Sequence, residues 1–326
     1  DGLVAVLHAD PEAAGRALDA VKASWTKAEP GADQDGIFDD LLKRAGEPEV
    51  TETKGDLSAP RAPGAKSFDE TYRKGYVAHA TMEPHTAVAE MKDGKLTVWA
   101  STQTPFPARD RIARVLNLDP KNVRVITPYV GGGFGGKSAG LQTDEAARLA
   151  VITGKPVMVA WTRAEEFFHD SFDPACIVNV KSAVDANGKI SLWDYTVWYA
   201  GERSTEFFYD VPNVRVRVSG GWRGPGSDAH RFGVGPWRAP GANMNVWARE
   251  SQIDTMAAAA GVDPLEFRLR HLKDARMIGV LKAAAGKFGW KPAPAPSGRG
   301  VAVACGIDAG TYAALMAEVK VDRTQG

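Results

Sequence analysis

The sequence predicts an α+β protein in which mixed sheets pack against helices. Strand-like segments come in pairs joined by tight turns, since Lys92-Asp93-Gly94 and Asn187-Gly188 are both hairpin signals. Amphipathic helices lie between these pairs without the strict strand-helix-strand rhythm of a parallel sheet. The length of 326 residues predicts about two domains of ordinary size.

The first domain is expected to be the end of a small α/β domain followed by a linker, over residues 1–66. Residues 2–7 are predicted to be a strand, and Asp10 followed by Pro11 marks a helix start. Residues 29–66 are rich in Gly, Pro, Asp and Glu, which predicts a linker with one short helix near 37–42. The first helix is expected to pack through one apolar face, formed by Ala14, Leu18, Val21 and Trp25.

The second domain is expected to cover residues 67–326 and begins with strands. Gly154 followed by Pro156 predicts a sharp helix end, and Asp263 and Pro264 with Glu266 predict a capped helix start. Periodicity predicts strands over 67–82, 86–91, 95–100, 122–126, 156–161, 177–184 and 190–198. It predicts helices over 105–116, 141–153 and 242–260, and one more from Asp263.

Composition excludes several function classes. Lys plus Arg and Asp plus Glu both number 40, so there is no basic footprint for nucleic acid or an anionic membrane. Cys176 and Cys305 are too far apart for a CxxC or zinc pattern and are expected to be buried small hydrophobes. No apolar run is long enough to predict a membrane span, and no signal peptide is recognised at Asp1.

The most unusual stretch is Val130–Ser138, VGGGFGGKS, which has five glycines in the six residues 131–136. Glycine can adopt positive φ and lets backbone N–H groups approach a ligand closely. The stretch lies between the strand 122–126 and the helix 141–153. It therefore predicts a surface of bare backbone, whereas a simple turn would need only one or two glycines.

A phosphate-binding loop is one interpretation of this stretch. Gly131–Ser138 fits G-x-x-x-x-G-K-[ST] between a strand and a helix. Against it, a nucleotide-hydrolysing protein also needs a strand that ends in a carboxylate for magnesium, and the strand 156–161 ends in Thr162 and Arg163. Replacing Lys137 would abolish binding in such a protein, whereas a site built from backbone is expected to tolerate that change better.

Three further segments, taken with VGGGFGGK, resemble the molybdenum subunit of the xanthine dehydrogenase and aldehyde oxidase family. They are HATMEPHTAVAE, WASTQTPFPARDRIARVLNL and GPWRAPGANMNVWARE, in consistent order along the chain. The similarity is greatest to the bacterial isoquinoline 1-oxidoreductase type. The resemblance runs from about Leu3 to Asp322 and implies an incomplete molybdopterin-binding domain of that family.

The resemblance implies a role for each residue of a cofactor site. Gln103 matches the glutamine whose side-chain amide donates to the apical oxo group of the metal, and Phe134 matches a residue whose backbone amide lies near a metal ligand. Arg238 matches an arginine beside the anionic pterin cofactor, a ligand suited to a fork of charged donors. No side chain is expected to ligate molybdenum directly, because the pterin holds it. The implied cofactor-binding set is Gln103, Gly132, Gly133, Phe134, Gly135 and Arg238.

Alternatives remain for several side chains. In isolation Gln103 could simply end a strand, Phe134 could anchor the loop, and Arg238 could be a surface cation. His79 and His85 lack the spacing of a helical ligand pair and are expected to be structural. Phe207, Phe208, Tyr209, Trp222 and Trp237 could line a substrate channel or pack in the core.

The sequence departs from the family pattern at two substrate positions. Ser138 replaces the glutamate that follows GGK in purine-oxidising members, which disfavours purine hydroxylation. The phenylalanine that stacks on substrate in the family falls within Ala239-Pro240-Gly241, which implies a differently shaped pocket wall. Glu83 is only a weak candidate for a base.

The chain is expected to be the first part of a molybdenum subunit, because the family's catalytic glutamate lies in a later region. No catalytic residue is expected in this chain, which alone should not catalyse. The intact enzyme would oxidise an N-heterocycle or an aldehyde with water-derived oxygen, using molybdopterin cytosine dinucleotide. Electrons would pass to a 2Fe-2S partner, with a flavoprotein or a cytochrome beyond it, and a missing C-terminal half would complete the site. A non-catalytic scaffold is the other alternative, and a bacterial cytoplasm or periplasm are both compatible compartments.

Overall fold

A computed structural model of the chain describes residues 4–24, 26, 31, 33–224, 226–291, 298–322 and 324. The chain divides into two compact units, each assembled from two separate segments. The first unit is Asp1–Gln34 with Ala80–Asp170, and the second is Asp35–His79 with Ser171–Gly326. Helices and mixed sheets occur in both units, so the predicted α+β class is confirmed.

The helices of the described residues are α1 Pro11–Asp19, α2 Ile37–Arg44, α3 Pro105–Val115, α4 Leu141–Thr153, α5 Arg163–His169, α6 Ala242–Ala260, α7 Pro264–Arg270 and α8 Ala275–Phe288. The strands are β1 Glu49–Lys54, β2 Lys66–Lys74, β3 Thr86–Lys92, β4 Lys95–Ala100, β5 Val123–Ile126, β6 Val157–Ala160, β7 Cys176–Val184, β8 Ile190–Trp198, β9 Val214–Ser219, β10 Arg299–Asp308 and β11 Thr311–Lys320. None of the helices in these ranges is both long and apolar enough to cross a bilayer.

The first unit is built on a four-stranded sheet in the order β5-β4-β3-β6. β3 is antiparallel to β4 and β6, while β4 and β5 are parallel and joined through α3. Alanines of both elements lie where α4 packs on β3. Ala146 and Ala147 of α4 and Ala87 and Ala89 of β3 belong to one buried cluster. Small side chains on both surfaces let the helix approach the sheet closely. The glycine stretch connects β5 to α4 and thus starts from a rigid sheet edge.

The second unit is built on a five-stranded sheet in the order β1-β9-β8-β7-β2, beside the two-stranded hairpin of β10 and β11. Its core contains most of the large buried side chains, including Trp193, Tyr195 and Phe267. Phe207 stacks on Trp193 with ring centroids 4.2 Å apart. Phe207 and Tyr209 are therefore core residues, and the packing alternative for them is confirmed.

Most predicted elements are confirmed, including the sharp end of α4. Gly154 adopts φ 62° and its N–H bonds to Ala150, as expected for a helix that stops at glycine. Asp263 caps α7 by accepting from the N–H groups of Leu265 and Glu266. Elements predicted from caps and turns thus match the observed ones closely.

The prediction for the first 66 residues needs correction. Residues 4–8 have no regular structure, α1 buries no residue, and the predicted packing residue Trp25 lies outside the described residues. The predicted linker contains β1, which pairs with β9 at the edge of the large sheet. The compact units divide after residues 34, 79 and 170. The predicted domain boundary at residue 66 stays a prediction, and no unit boundary coincides with it.

His230 gives the second unit a pH-dependent stability. Burial lowers the pKa of His230 to about 4, and its ring packs edge-on against Tyr76 and Tyr199. As the pH falls below 6.5, His230 becomes protonated in the unfolded chain, whereas in the folded chain it stays neutral until the pH approaches 4. The stabilisation of the folded state by neutral His230 is therefore intact above pH 6.5 and is lost as the pH falls toward 4. We expect a loss of roughly 3 kcal/mol of unfolding free energy over that range. Urea unfolding at pH 7 and pH 4 measures it, and His230→Phe should show a correspondingly smaller loss; equal losses in both proteins would contradict the prediction.

Candidate functional site

The glycine stretch forms a tight loop whose shape requires unusual backbone angles. Gly132 has φ 98° and Gly135 has φ 118°, both in the region that favours glycine. Phe134 also has a positive φ, at 52°, and its side chain is 51 % exposed. A bulky residue held in this conformation at the surface indicates a constraint beyond simple chain reversal.

Gln103, which follows β4, fixes the middle of the loop. Its Oε1 accepts a hydrogen bond from the Gly135 N–H at 2.9 Å. Because a backbone N–H can only donate, the amide oxygen must face the loop, and this settles the orientation of the side chain. The side chain is exposed, and its Nε2 has no partner among the described residues. Gln103 is thus held in place by its oxygen and offers its NH₂ group as a donor.

Two glycines of the loop are required by contacts within the chain itself. A Cβ at Gly133 would lie 2.4 Å from Gln103 Oε1, and a Cβ at Gly131 would lie 2.6 Å from the Cβ of Glu83. Gly133 is buried. The expectation that the glycines expose bare backbone is therefore incomplete, because these two allow the loop to pack on Gln103 and Glu83.

Lys137 points away from the surface of the loop. Its side chain is fully buried, and its Nζ donates to the backbone oxygen of Glu83 at 2.8 Å and to Glu83 Oε2 at 2.9 Å. Burial raises the pKa of the Glu83 carboxyl, but the hydrogen bonds from Lys137 and the Gly131 N–H outweigh it, so the pKa lies below its ordinary value. Glu83 is an ionised structural partner in this arrangement, which argues against a role as a base.

The phosphate-binding interpretation is not favoured by this geometry. A nucleotide-binding lysine must reach the phosphates from the mouth of the loop, whereas Lys137 forms a buried ion pair with Glu83. The expectation that a backbone-built site tolerates replacement of Lys137 better than a phosphate-binding loop stays a prediction, but the buried ion pair adds a structural cost to that change. A buried ammonium group whose partner is also partly buried is costly to disturb.

The segment that carries Glu83 is anchored by hydrogen bonds to the start of α5. Thr81 Oγ1 donates to the Glu83 backbone oxygen at 2.7 Å, and Arg163 donates to the backbone oxygen of Thr81 and to Glu166 Oε1. Glu166 belongs to α5, which begins with a capping box of Thr162 and Glu165.

His85 lies between two buried carboxylates in the same unit. Its Nδ1 is 3.8 Å from Glu166 Oε2 and its Nε2 is 3.7 Å from Asp170 Oδ1. His85 also packs against Trp161, with ring centroids 4.9 Å apart. His79, which belongs to the other unit, bonds to the backbone oxygen of Pro236 at 2.9 Å. Both histidines are buried, and His79 is bonded within the scaffold. His85 Nδ1 has no hydrogen-bond partner among the described residues, and the ligand atoms of His85, Glu166 and Asp170 lie within 4.8 Å of one another, so a purely structural role for His85 stays a prediction.

Arg238 lies in the second unit, just before α6. It is exposed and has no hydrogen bond or ion pair among the described residues. The next residue, Ala239, has φ 57°, and Gly241 has φ 73° with no room for a Cβ, which would lie 2.2 Å from the backbone oxygen of Ala200. The structure thus brings Gln103 together with Gly133, Phe134 and Gly135 in one unit, and holds Arg238 on a constrained turn of the other.

The sequence did not predict that Glu83 and Lys137 determine the shape of the loop. Local sequence could not identify this pair, because the two residues are 54 positions apart. A signal did exist for α5, which the prediction missed: Thr162-Arg163-Ala164-Glu165 has the spacing of a capping box.

Comparison with known families shows which family the chain belongs to. Residues 42–272 match the molybdopterin cofactor-binding domain. The chain belongs to this family. The predicted resemblance is thereby confirmed, and the matched segment includes Gln103, the glycine loop and Arg238.

Individual relatives agree with this assignment. The chain is 28 % identical to a nicotinate dehydrogenase polypeptide of Pseudomonas putida over 99 % of its own length and 30 % of the relative's. It is 31 % identical to the molybdenum-binding subunit of an aldehyde oxidoreductase of Escherichia coli over 77 % of its own length and 37 % of the relative's. The chain therefore spans about a third of the length of these relatives.

A solved structure shares the fold. Quinoline 2-oxidoreductase from Pseudomonas putida 86 superposes with a TM-score of 0.65 at 21 % identity, covering 79 % of this chain and 38 % of the other. This similarity shows that the two chains share a fold.

Proposed function

We propose that this chain supplies one side of the molybdopterin site of a molybdenum hydroxylase that oxidises an N-heterocyclic aromatic compound or an aldehyde. The observation that carries the proposal is the fixed orientation of Gln103, whose oxygen is held by Gly135 and whose NH₂ group is left as a donor. A donor held in advance by the loop is suited to an oxygen ligand of a metal centre. The relatives act on nicotinate and on aldehydes, which are the two substrate classes considered.

The residues present fit such a cofactor. Its oxygen-rich, anionic character suits an amide donor, backbone N–H groups and a permanently charged guanidinium. In the first unit the cofactor would contact Gln103, Gly132, Phe134 and Gly135. Gly133 would leave the space that the Gln103 side chain occupies. When bound, the molybdenum cofactor would take two electrons from the substrate carbon and deliver water-derived oxygen to it.

The roles of the chain's own residues follow from their surroundings. Gln103 would orient an oxygen ligand through its NH₂ group, and Phe134, which is half exposed on the same loop, would shield that position from water. Arg238 would neutralise anionic groups of the pterin. Glu83 is held by Lys137 with a lowered pKa, so we assign the catalytic base to a region of the enzyme beyond these residues.

The remaining parts of the assembly are proposed on the same basis. The chain matches only 30 % and 37 % of the length of these two relatives, which supports a further molybdenum-binding half that carries the base. Electrons would leave through a 2Fe-2S subunit, with a flavoprotein or cytochrome as the next acceptor, and the pterin would be the cytosine dinucleotide form. The chain by itself would act only as a scaffold for half of the site.

Metal and pterin analysis tests the proposal. Molybdenum and released pterin nucleotide are measured on this chain alone and on material co-purified with the rest of the subunit. We expect stoichiometric molybdenum and cytosine nucleotide only in the assembled sample. Assembled material that contains no molybdenum and oxidises neither class of substrate would refute the proposal. A chain that does not assemble with the rest of the subunit, yet binds tightly to a 2Fe-2S protein, would favour the scaffold alternative.

Replacing Arg238 by alanine is expected to lower the molybdenum content of the assembled enzyme severalfold. The unfolding free energy should change by less than about 0.5 kcal/mol, because Arg238 is exposed and has no described partner. Elemental analysis and urea unfolding measure the two effects. Arg270→Ala, another exposed arginine of the same unit, serves as the control and should retain full cofactor content; equal loss in both variants would remove Arg238 from the site.

A further inference from the structure

The two ends of the glycine loop meet on one residue, Glu83. Its Oε2 accepts from the Gly131 N–H at 2.6 Å and from Lys137 Nζ at 2.9 Å, and its own N–H donates to the Gly131 backbone oxygen at 3.1 Å. Gly131 is the first glycine of the loop and Lys137 directly follows the last one. A single carboxylate thus closes the loop at its base.

Lys137 also connects the loop to the strand end that carries Gln103. Its backbone oxygen accepts from the Gln103 N–H at 3.0 Å and from Thr102 Oγ1 at 3.2 Å. Its side chain is fully buried, so the loop cannot swing outward without separating the ammonium from Glu83 in a desolvated place. The position of Gln103 and the closure of the loop therefore depend on the same lysine.

Glu83 cannot follow a moving loop, because its own segment is held by α5. Thr81 bonds to the Glu83 backbone oxygen, and Arg163 bonds both to Thr81 and to Glu166. A close contact adds to this rigidity, because Gly131 approaches Glu83 so closely that no Cβ fits between them. The loop is thus fastened to a fixed support at both ends.

We propose that Glu83 and Lys137 are positioning residues that hold Gln103 and Phe134 in the arrangement that receives the cofactor. They act through the loop and contact neither cofactor nor substrate. The inference rests on the proposed function for the identity of the ligand, but the closure of the loop can be tested without it.

Hydrogen exchange of the chain without cofactor tests the closure. We compare peptides spanning residues 128–140 in the wild type, Lys137→Met, Glu83→Gln and the double variant. Loss of the charged hydrogen bonds should speed exchange at Gly131 and Gly135 by tenfold or more. If Glu83 and Lys137 act together to hold the loop closed, the exchange rates of the double variant should resemble those of the single variants. Independent effects would instead multiply in the double variant.

Controls separate this result from general destabilisation. Lys121→Met removes an exposed lysine of the same unit and should leave exchange over 128–140 unchanged. Glu83→Gln keeps the size of the side chain and provides an informative variant even if Lys137→Met fails to fold. Unchanged exchange in Glu83→Gln, or an equal increase across all of residues 80–170, would overturn the closure.

The assembled enzyme tests the positioning role. Folded variants, compared with the wild type at equal molybdenum content, should show an altered electron paramagnetic resonance signal of the molybdenum centre and a lower kcat at unchanged KM. An unaltered signal and kcat in a variant with a fast-exchanging loop would overturn the positioning role. A wild-type assembly that contains no molybdenum would refute the proposed function instead, while the exchange result would still decide whether Glu83 and Lys137 close the loop.

Discussion

Replacing Gln103 by glutamate is expected to lower the kcat of the assembled, cofactor-loaded enzyme by about 10²- to 10³-fold, the usual cost of one preorganised donor. Glutamate has the same shape and keeps an oxygen for the Gly135 N–H, which Gln103 binds at 2.9 Å. What it loses is the NH₂ group. The loop should therefore keep its shape while the donor toward the cofactor is removed.

A second substitution separates the two functions of this side chain. Gln103→Leu removes both the donor and the acceptor, so it should lose activity to a similar degree and also speed hydrogen exchange at Gly135. Rates are normalised to molybdenum content, because an added carboxylate near an anionic cofactor can lower its occupancy. Full activity per molybdenum in Gln103→Glu would show that the NH₂ group of Gln103 makes no contact that matters to the reaction.

The elements that could be predicted from sequence have local causes. α4 ends where Gly154 adopts a left-handed conformation, and α7 begins where Asp263 caps two N–H groups. The hairpin of β3 and β4 is closed by residues that favour a tight turn. In each case the residues that determine the element are within a few positions of it.

The elements that could not be predicted depend on distant partners. All but one residue of β1 is exposed, so it lacks the apolar alternation of a half-buried strand, and it is defined by pairing with β9 more than 150 residues later. The same holds for the loop. Its glycines suggested bare backbone and its lysine suggested a phosphate ligand, because the sequence does not reveal that Glu83 and Gln103 pack against Gly131 and Gly133.

We expect the largest effect on stability from a substitution in the buried charged network of the second unit, which is centred on Glu250. Glu250 is 4 % exposed, and its two carboxylate oxygens accept from Arg249 Nε at 3.1 Å and from Arg268 Nε at 2.9 Å. The N–H of Cys305 and the hydroxyl of Tyr209 complete its hydrogen bonds. Burial raises the pKa of Glu250, but the two arginines outweigh it, so the pKa lies below its ordinary value. The carboxylate thus supplies one negative charge that two buried guanidinium groups share, and its contribution is lost as the pH falls through that lowered pKa.

Replacing Glu250 by glutamine should cost about 3–5 kcal/mol of unfolding free energy, because it leaves those two cations without their shared counter-charge. The cost approaches the whole stability of an ordinary domain, so the chain is expected to lose its cooperative unfolding transition at 37 °C. Urea unfolding followed by circular dichroism measures it. Glu266→Gln is the matched control, since Glu266 is about half exposed and pairs with Arg270 at 3.0 Å on the surface of the same unit, where such a pair contributes at most about 1 kcal/mol. A Glu250→Gln variant as stable as this control would mean that water or a rearranged Asp254, already 2.6 Å from Arg268, compensates the buried charge.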